Sequence, residues 1–239
     1  GTGQSASGGK KPLDDATVFA RLGQRVLHVL TAHTPAGFLY PVDMRLRPSG
    51  ASGLLVSPVG AFAHYQQEEA WTWEHQALVR ARPIGGAPMI ADAFLQCRRR
   101  VLSTPRNPEQ LGRAVADMRE RIRKEKAGGK DAGGGFDLKQ GAGGLVDIEF
   151  LVQYLVLCHA GRHPRLLQWT DNVRLIRTLA RVGVLEDDTA ALLRKAYLTY
   201  RSKMHRLNLQ QQPGRVPEDQ YRPLRQEVAV LWRRFLPES

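Results

Sequence analysis

With 239 residues and 42% hydrophobic side chains, the chain can bury a substantial core in one large domain or two small ones, which excludes disorder over most of its length. A formal net charge of +12, with many of the basic residues arginine, predicts a surface that attracts nucleotides, nucleic acids or an acidic protein partner. Two cysteines, Cys97 and Cys158, lack metal-ligand spacing and exclude a disulfide framework; with no apolar run of membrane length and no leader pattern, a soluble, cytoplasmic protein without a membrane partner is expected.

Gly1 to Lys11 is small and polar, so residues 1–15 are expected to form a flexible lead-in. Ala16 to Thr31 carries Val18, Phe19, Leu22, Val26, Val29 and Leu30 near helical spacing and is predicted as a helix. Phe38 to Gly50 follows with a period of two. Phe38, Tyr40, Val42, Met44 and Leu46 alternate with Leu39, Pro41, Asp43, Arg45 and Arg47, the pattern of a half-buried strand. Pro48-Ser49-Gly50 ends it in a turn, and Leu54-Leu55-Val56 is expected to pair beside it as an antiparallel neighbour.

Ser57-Pro58 reads as a helix start, and Gln66 to Arg82 as a helix with an acidic beginning and a basic end, closed by Pro83 and Gly85-Gly86. Beyond Ala91 the pattern is helical. Helices are predicted over Ala91 to Val101, Glu109 to Lys126, Leu145 to His159, Val173 to Val182, Ala190 to Gln211 and Tyr221 to Leu236. The glycine-rich stretch Gly128 to Gly135 is expected to be a flexible loop, and Phe136-Asp137-Leu138-Lys139 a short strand. The fold class is therefore α+β, mostly α, with a small sheet-bearing N-terminal part followed by a helical bundle.

Asp43 beside Arg45 and Arg47 is the sharpest chemical signal. A carboxylate next to two arginines on one strand face suits a divalent metal beside a phosphate chain, or else a surface strand whose charges neutralise one another. Gly143-Gly144 opens a helix whose amides attract phosphate, with Lys139 nearby, while Asp147 and Glu149 in its first turns also suit the helix dipole without any ligand. Trp71, Trp73, Glu74 and His75 read as core rather than as a stacking platform. None of the histidines falls in a metal-binding motif of the HExxH kind. The Arg98 to Arg100 run and the Arg119 to Lys126 segment read as a solvated face, with contact to an acidic partner or RNA as the lesser alternative.

Longer strings carry a resemblance. Tyr40-Pro-Val-Asp-Met-Arg-Leu-Arg-Pro-Ser-Gly-Ala-Ser-Gly-Leu-Leu-Val and Glu69-Ala-Trp-Thr-Trp-Glu-His-Gln-Ala-Leu-Val-Arg-Ala-Arg-Pro resemble the glutamine synthetase adenylyltransferase family. So do Phe136-Asp-Leu-Lys, Gly143-Gly-Leu-Val-Asp-Ile-Glu-Phe and Trp169-Thr-Asp-Asn-Val-Arg, and together they run from about Ala16 to Leu209. That family's proteins have two similar nucleotidyltransferase halves, one removing AMP from glutamine synthetase and one attaching it. The Glu-Ala-Trp-Thr-Trp-Glu-His wording resembles the C-terminal, attaching half.

The resemblance implies a fold like the polymerase-beta nucleotidyltransferases. Residues 16–90 would be the C-terminal part of that domain and residues 91–239 a helical bundle domain. It implies ATP as cosubstrate, Mg²⁺ as metal, a tyrosine hydroxyl of glutamine synthetase as AMP acceptor, and the PII nitrogen-signalling protein as regulator. Asp43 would match the third acid of the metal site, catalytic and metal-binding at once, with Arg45, Arg47 and Lys139 as triphosphate or substrate contacts. The family's Gly-Ser-x-x-Asp-x-Asp segment, source of the first two acids, does not occur in this chain, so negligible transfer activity is expected from these residues alone. The alternative is a non-catalytic basic helical module that binds an acidic protein or RNA.

Overall fold

The computed structural model describes residues 14–37, 42–127 and 134–237. Contacts divide the chain into two compact units, Gly1–Ala70 and Trp71–Ser239.

In the first unit, α1 (Asp15–Thr31) starts at Asp14, whose carboxylate accepts the Thr17 amide at 2.7 Å. Phe19, Leu22, Val26 and Val29 leave half or more of their surface exposed, and no residue of α1 is buried. Residues 38–41 of the expected strand lie outside the described residues, and residues 42–45 form no strand. Leu54 to Val56 does not pair either. A period of two makes a strand only when a neighbouring ladder takes the backbone groups. Here side chains take several of them: Asp43 accepts the Arg45 amide, and the Arg47 guanidinium donates to the carbonyls of Met44 and Gly53. Leu55 and Val56 instead lie against α1 at Gly23, where an added Cβ would come within 2.7 Å of the Val56 methyl. The turn at Pro48-Ser49-Gly50 does form, running into a short 3-10 helix, Gly50–Ser52.

The helix expected over Gln66 to Arg82 is two helices. α2 (Val59–Glu68) ends the first unit and α3 (Thr72–Arg80) begins the second. The interruption at Glu69–Trp71 has a local cause: the buried Glu74 side chain reaches back to accept the Trp71 amide at 2.9 Å, as the third helical residue of a capped N-terminus does.

The second unit is organised around α6 (Leu145–His159). That helix is apolar on nearly every side, and eleven of its residues from Leu145 to Leu157 are buried, so it needs neighbours all round. It obtains them from α3, α4 (Pro88–Ser103), α5 (Pro108–Ala127), α7 (Asn172–Arg181), α8 (Asp187–Leu209) and α9 (Arg222–Phe235). The helices of this bundle follow the sequence periodicity closely. Among the described residues the sheet is a single antiparallel pair, β1 (Phe136–Asp137) and β2 (Arg215–Val216), with Phe136 opposite Val216. The fold is thus α+β and mostly α, but the described sheet belongs to the bundle unit, not to the N-terminal part. No helix among the described residues is long and apolar enough to cross a membrane.

Candidate functional site

The Asp43 loop is small and self-contained. The Arg45 guanidinium folds back over the Asp43 carboxylate, with Nη2 2.6 Å from Oδ2 and Nε 3.0 Å from both oxygens, while the Arg45 amide donates to Oδ1 at 3.0 Å. These bonds favour the charged carboxylate and hold Asp43 down at about 2, well below the usual carboxylate range. Both side chains remain open to solvent, 55% exposed for Asp43 and 82% for Arg45. Arg47 turns the other way. Its Nη1 donates to the Met44 carbonyl at 2.6 Å and its Nε to the Gly53 carbonyl at 3.1 Å, which closes the loop. Gly53 is needed there, because a Cβ would fall 1.8 Å from the Pro48 carbonyl oxygen.

Lys139 lies in the second unit, exposed in the turn after β1. Its amide and that of Gln140 both donate to Asp137 Oδ1 at 2.8 Å. The turn runs on through Gly141 and Gly143 into α6. Gly143 has φ +76°, and a Cβ on it would sit 2.2 Å from the Arg225 carbonyl oxygen of α9. The amides that open α6 are already engaged: Leu145 and Val146 donate to the carbonyls of Leu138 and Lys139 at 3.0 and 3.1 Å. The Gly143 amide donates to Asp147 Oδ2 at 2.7 Å. The phosphate-attracting helix start expected from Gly143-Gly144 therefore has these donors turned inward, onto protein oxygens.

Asp147 is a buried hub. Besides Gly143 it accepts Arg119 Nε at 2.6 Å and Arg123 Nη2 at 2.9 Å, and Arg119 and Asp147 are each 1% exposed. Arg119 spends its remaining donors on the side chain and carbonyl of Gln140. Glu149 forms a second hub, accepting Arg80 at 2.7 Å, Asn172 Nδ2 at 3.3 Å and the Tyr197 hydroxyl at 3.5 Å, so that α3, α6, α7 and α8 meet at one carboxylate. Both acids serve the packing of the bundle, and neither is simply a solvated charge at a helix start.

The arginine segments correct the reading of a solvated face. Arg98 is buried and donates to the carbonyls of Leu78, Val79 and Leu167, stitching α3 and the Pro164–Leu167 turn to α4. Arg119 is buried as described, while Arg99 and Arg100 are exposed. The signal was present: Arg119 continues the stripe Leu111, Val115 at four-residue spacing, and Arg98 lies four residues after Phe94. Trp71, read as core, is 70% exposed. Among the described residues no cluster of three or more His, Cys, Asp or Glu side chains could hold a metal ion. Asp43 is one carboxylate, which does not by itself make a Mg²⁺ site.

Comparison with known proteins places the chain against two families. Residues 2–97 match the glutamate-ammonia ligase adenylyltransferase family, and residues 115–233 match the GlnD PII-uridylyltransferase family. Three curated relatives carry the description bifunctional glutamine synthetase adenylyltransferase/adenylyl-removing enzyme. The chain is 48% identical to that of Pseudomonas aeruginosa across 98% of its own length and 51% identical to that of Pseudomonas syringae pv. tomato across 96%. It is 48% identical across 99% to that of Thioalkalivibrio sulfidiphilus. The chain spans about a quarter of the length of these relatives, 24 to 25%.

Proposed function

We propose a part in AMP transfer to glutamine synthetase for this chain, which belongs to the glutamine synthetase adenylyltransferase family. The observation that carries the reading is identity of 48–51% over nearly the whole chain, across both the Asp43 loop and the helical bundle. In this reading the wider protein transfers AMP from ATP to a tyrosine hydroxyl, and this chain supplies one carboxylate of the reacting site together with its helical support. ATP, Mg²⁺ and the PII protein enter as proposed cosubstrate, metal and regulator.

Asp43 suits its proposed role in one respect. It is ionised at any pH well above about 2 and exposed, so a hard cation can reach it without a prior proton loss. The described residues do not bring it the further carboxylates that a nucleotidyl-transfer metal site uses. Arg45 is the proposed triphosphate contact whose present partner is Asp43 itself, so its guanidinium is already oriented beside that carboxylate. Arg47 is proposed for the same anionic substrate, although it also holds its own loop closed, and Lys139 of the second unit is proposed separately as a contact to an anionic substrate. The alternative of a basic interaction module is weakened by the burial of Arg98 and Arg119, two of the arginines it would present.

The test is incorporation of labelled AMP into glutamine synthetase by this chain alone. Negligible incorporation is expected, because the described residues bring Asp43 no companion acids. Robust turnover would refute the proposal that this quarter depends on residues outside itself.

A further inference from the structure

A pocket of about 470 Å³ opens where the β1–β2 pair meets the ends of α5 and α9, away from the Asp147 core but touching its rim. Arg123, Arg215 and Arg225 line it, together with Gln140 and Phe136, and Arg215 Nη1 also donates to the Gly135 carbonyl at 3.3 Å. The acids on its wall are Asp137 and Glu218. Each already has its own donors: Asp137 Oδ1 accepts two backbone amides, and Glu218 Oε1 accepts Arg225 Nη2 at 2.8 Å. Arg225 is further held flat, its guanidinium carbon 4.2 Å from the centre of the Phe136 ring.

Arg123 brings the excess charge. Arg119 and Arg123 share the single buried carboxylate of Asp147, so two cations face one anion. Among the described residues Glu120 is the other acid paired with Arg123, 3.9 Å away, and it also faces Lys124 at 3.8 Å. One positive charge is thus uncompensated among Arg119, Arg123, Lys124, Asp147 and Glu120. The Nε of Arg123 is buried and has no hydrogen-bond partner among the described residues. A donor left in that state costs stability, and an anion on the same guanidinium relieves the charge imbalance.

We propose that this pocket binds a phosphate-bearing small molecule, with the anionic group on Arg123 and Arg215. Phosphate is favoured over carboxylate because guanidiniums arriving from two elements, α5 and β2, converge on the pocket. A phosphate monoester offers the two forks three acceptor oxygens and a charge of about −2, against two oxygens and a single charge on a carboxylate. The volume lies within the range of small-molecule sites. The proposal is independent of AMP transfer at Asp43 and stands or falls separately.

Isothermal titration of the full chain with sodium pyrophosphate at constant ionic strength is the test, with adenosine monophosphate and malonate as further probes. Saturable pyrophosphate binding is expected, weakened about tenfold or more in Arg123→Gln and in Arg215→Gln, the loss that follows from deleting one charge-assisted contact. Arg113→Gln, which removes an equal charge from the exposed outer face of α5, should leave it within about twofold. Arg215→Gln serves where Arg123→Gln unfolds the bundle. Stronger adenosine monophosphate than pyrophosphate binding assigns the site to a phosphate ester, and the reverse to free pyrophosphate. Absence of saturable binding, equal weakening in Arg113→Gln, or malonate binding as tight as pyrophosphate would overturn the proposal.

Discussion

Replacing Asp147 with asparagine tests the buried hub at constant size. The carboxylate is 1% exposed and accepts from Arg119, Arg123 and the Gly143 amide. Asparagine keeps one acceptor oxygen but turns an NH₂ toward donors, and it leaves Arg119, itself 1% exposed, without a counter-charge. Removing one partner of a buried pair costs about 3–5 kcal/mol, most of it the isolated charge rather than the lost attraction. For a unit of this size that corresponds to a fall in Tm of roughly 6–20 °C. Urea unfolding of the full chain, followed by the second unit's tryptophan fluorescence and by circular dichroism, measures it. The double variant Asp147→Asn with Arg119→Met should recover part of the loss, since the stranded cation goes with it. Removing the exposed Glu109 partner of Arg113 should change little. A cost below about 1 kcal/mol for Asp147→Asn, or a double variant no better than the single, would refute the reasoning.

Carbon-13 NMR of the Asp43 carboxyl should give a midpoint near 2 rather than 3.8, returning toward the ordinary value in Arg45→Gln. The Arg45 contact is fully present above about pH 3.8 and is lost as pH falls through about 2, because the folded value is the lower one. Gly143→Ala should destabilise the bundle by about 1–3 kcal/mol or more on denaturant unfolding, because φ is positive there and the added Cβ meets the Arg225 carbonyl. Tyr200→Phe should be neutral or stabilising by about 1 kcal/mol, since its buried hydroxyl has no partner among the described residues and its ring keeps the edge contacts to Phe136 and Tyr221. A loss above about 1 kcal/mol would show that the hydroxyl is bonded after all.

The bundle was legible because helical periodicity is local: the apolar run of Leu145 to His159 suits a central bundle helix, and α6 packs against six other helices. Asp171, a capping residue type just before the helix predicted over Val173 to Val182, accepts the Arg174 amide. What failed depended on partners. A period of two at Val42 to Arg47 cannot become a strand where side chains take the backbone groups, and within a charge run only the four-residue stripe separates the buried arginines from the solvated ones. Arg98 and Arg119 hide because their neighbours in sequence, Arg99 and Arg121, are exposed. The capping turn of Glu74 was hidden by the Trp-Thr-Trp string, which reads as continuous helix. At the Asp43 loop the chemistry of a carboxylate beside arginines could be named from residue types. Its geometry, with Arg45 folded onto Asp43 and Arg47 turned inward, could not.

Asp43 is proposed as one acid of an AMP-transfer site assembled with residues beyond this quarter. The most direct measurement replaces the matching segment of the Pseudomonas aeruginosa relative with this chain, 48% identical over it, and follows AMP incorporation into glutamine synthetase with and without Asp43→Asn. The prediction is transfer by the unsubstituted chimera and a loss of about 100-fold or more in the variant, with both chimeras equally folded, as expected when a metal-directing carboxylate is neutralised. Transfer within twofold of the unsubstituted chimera after Asp43→Asn would contradict it.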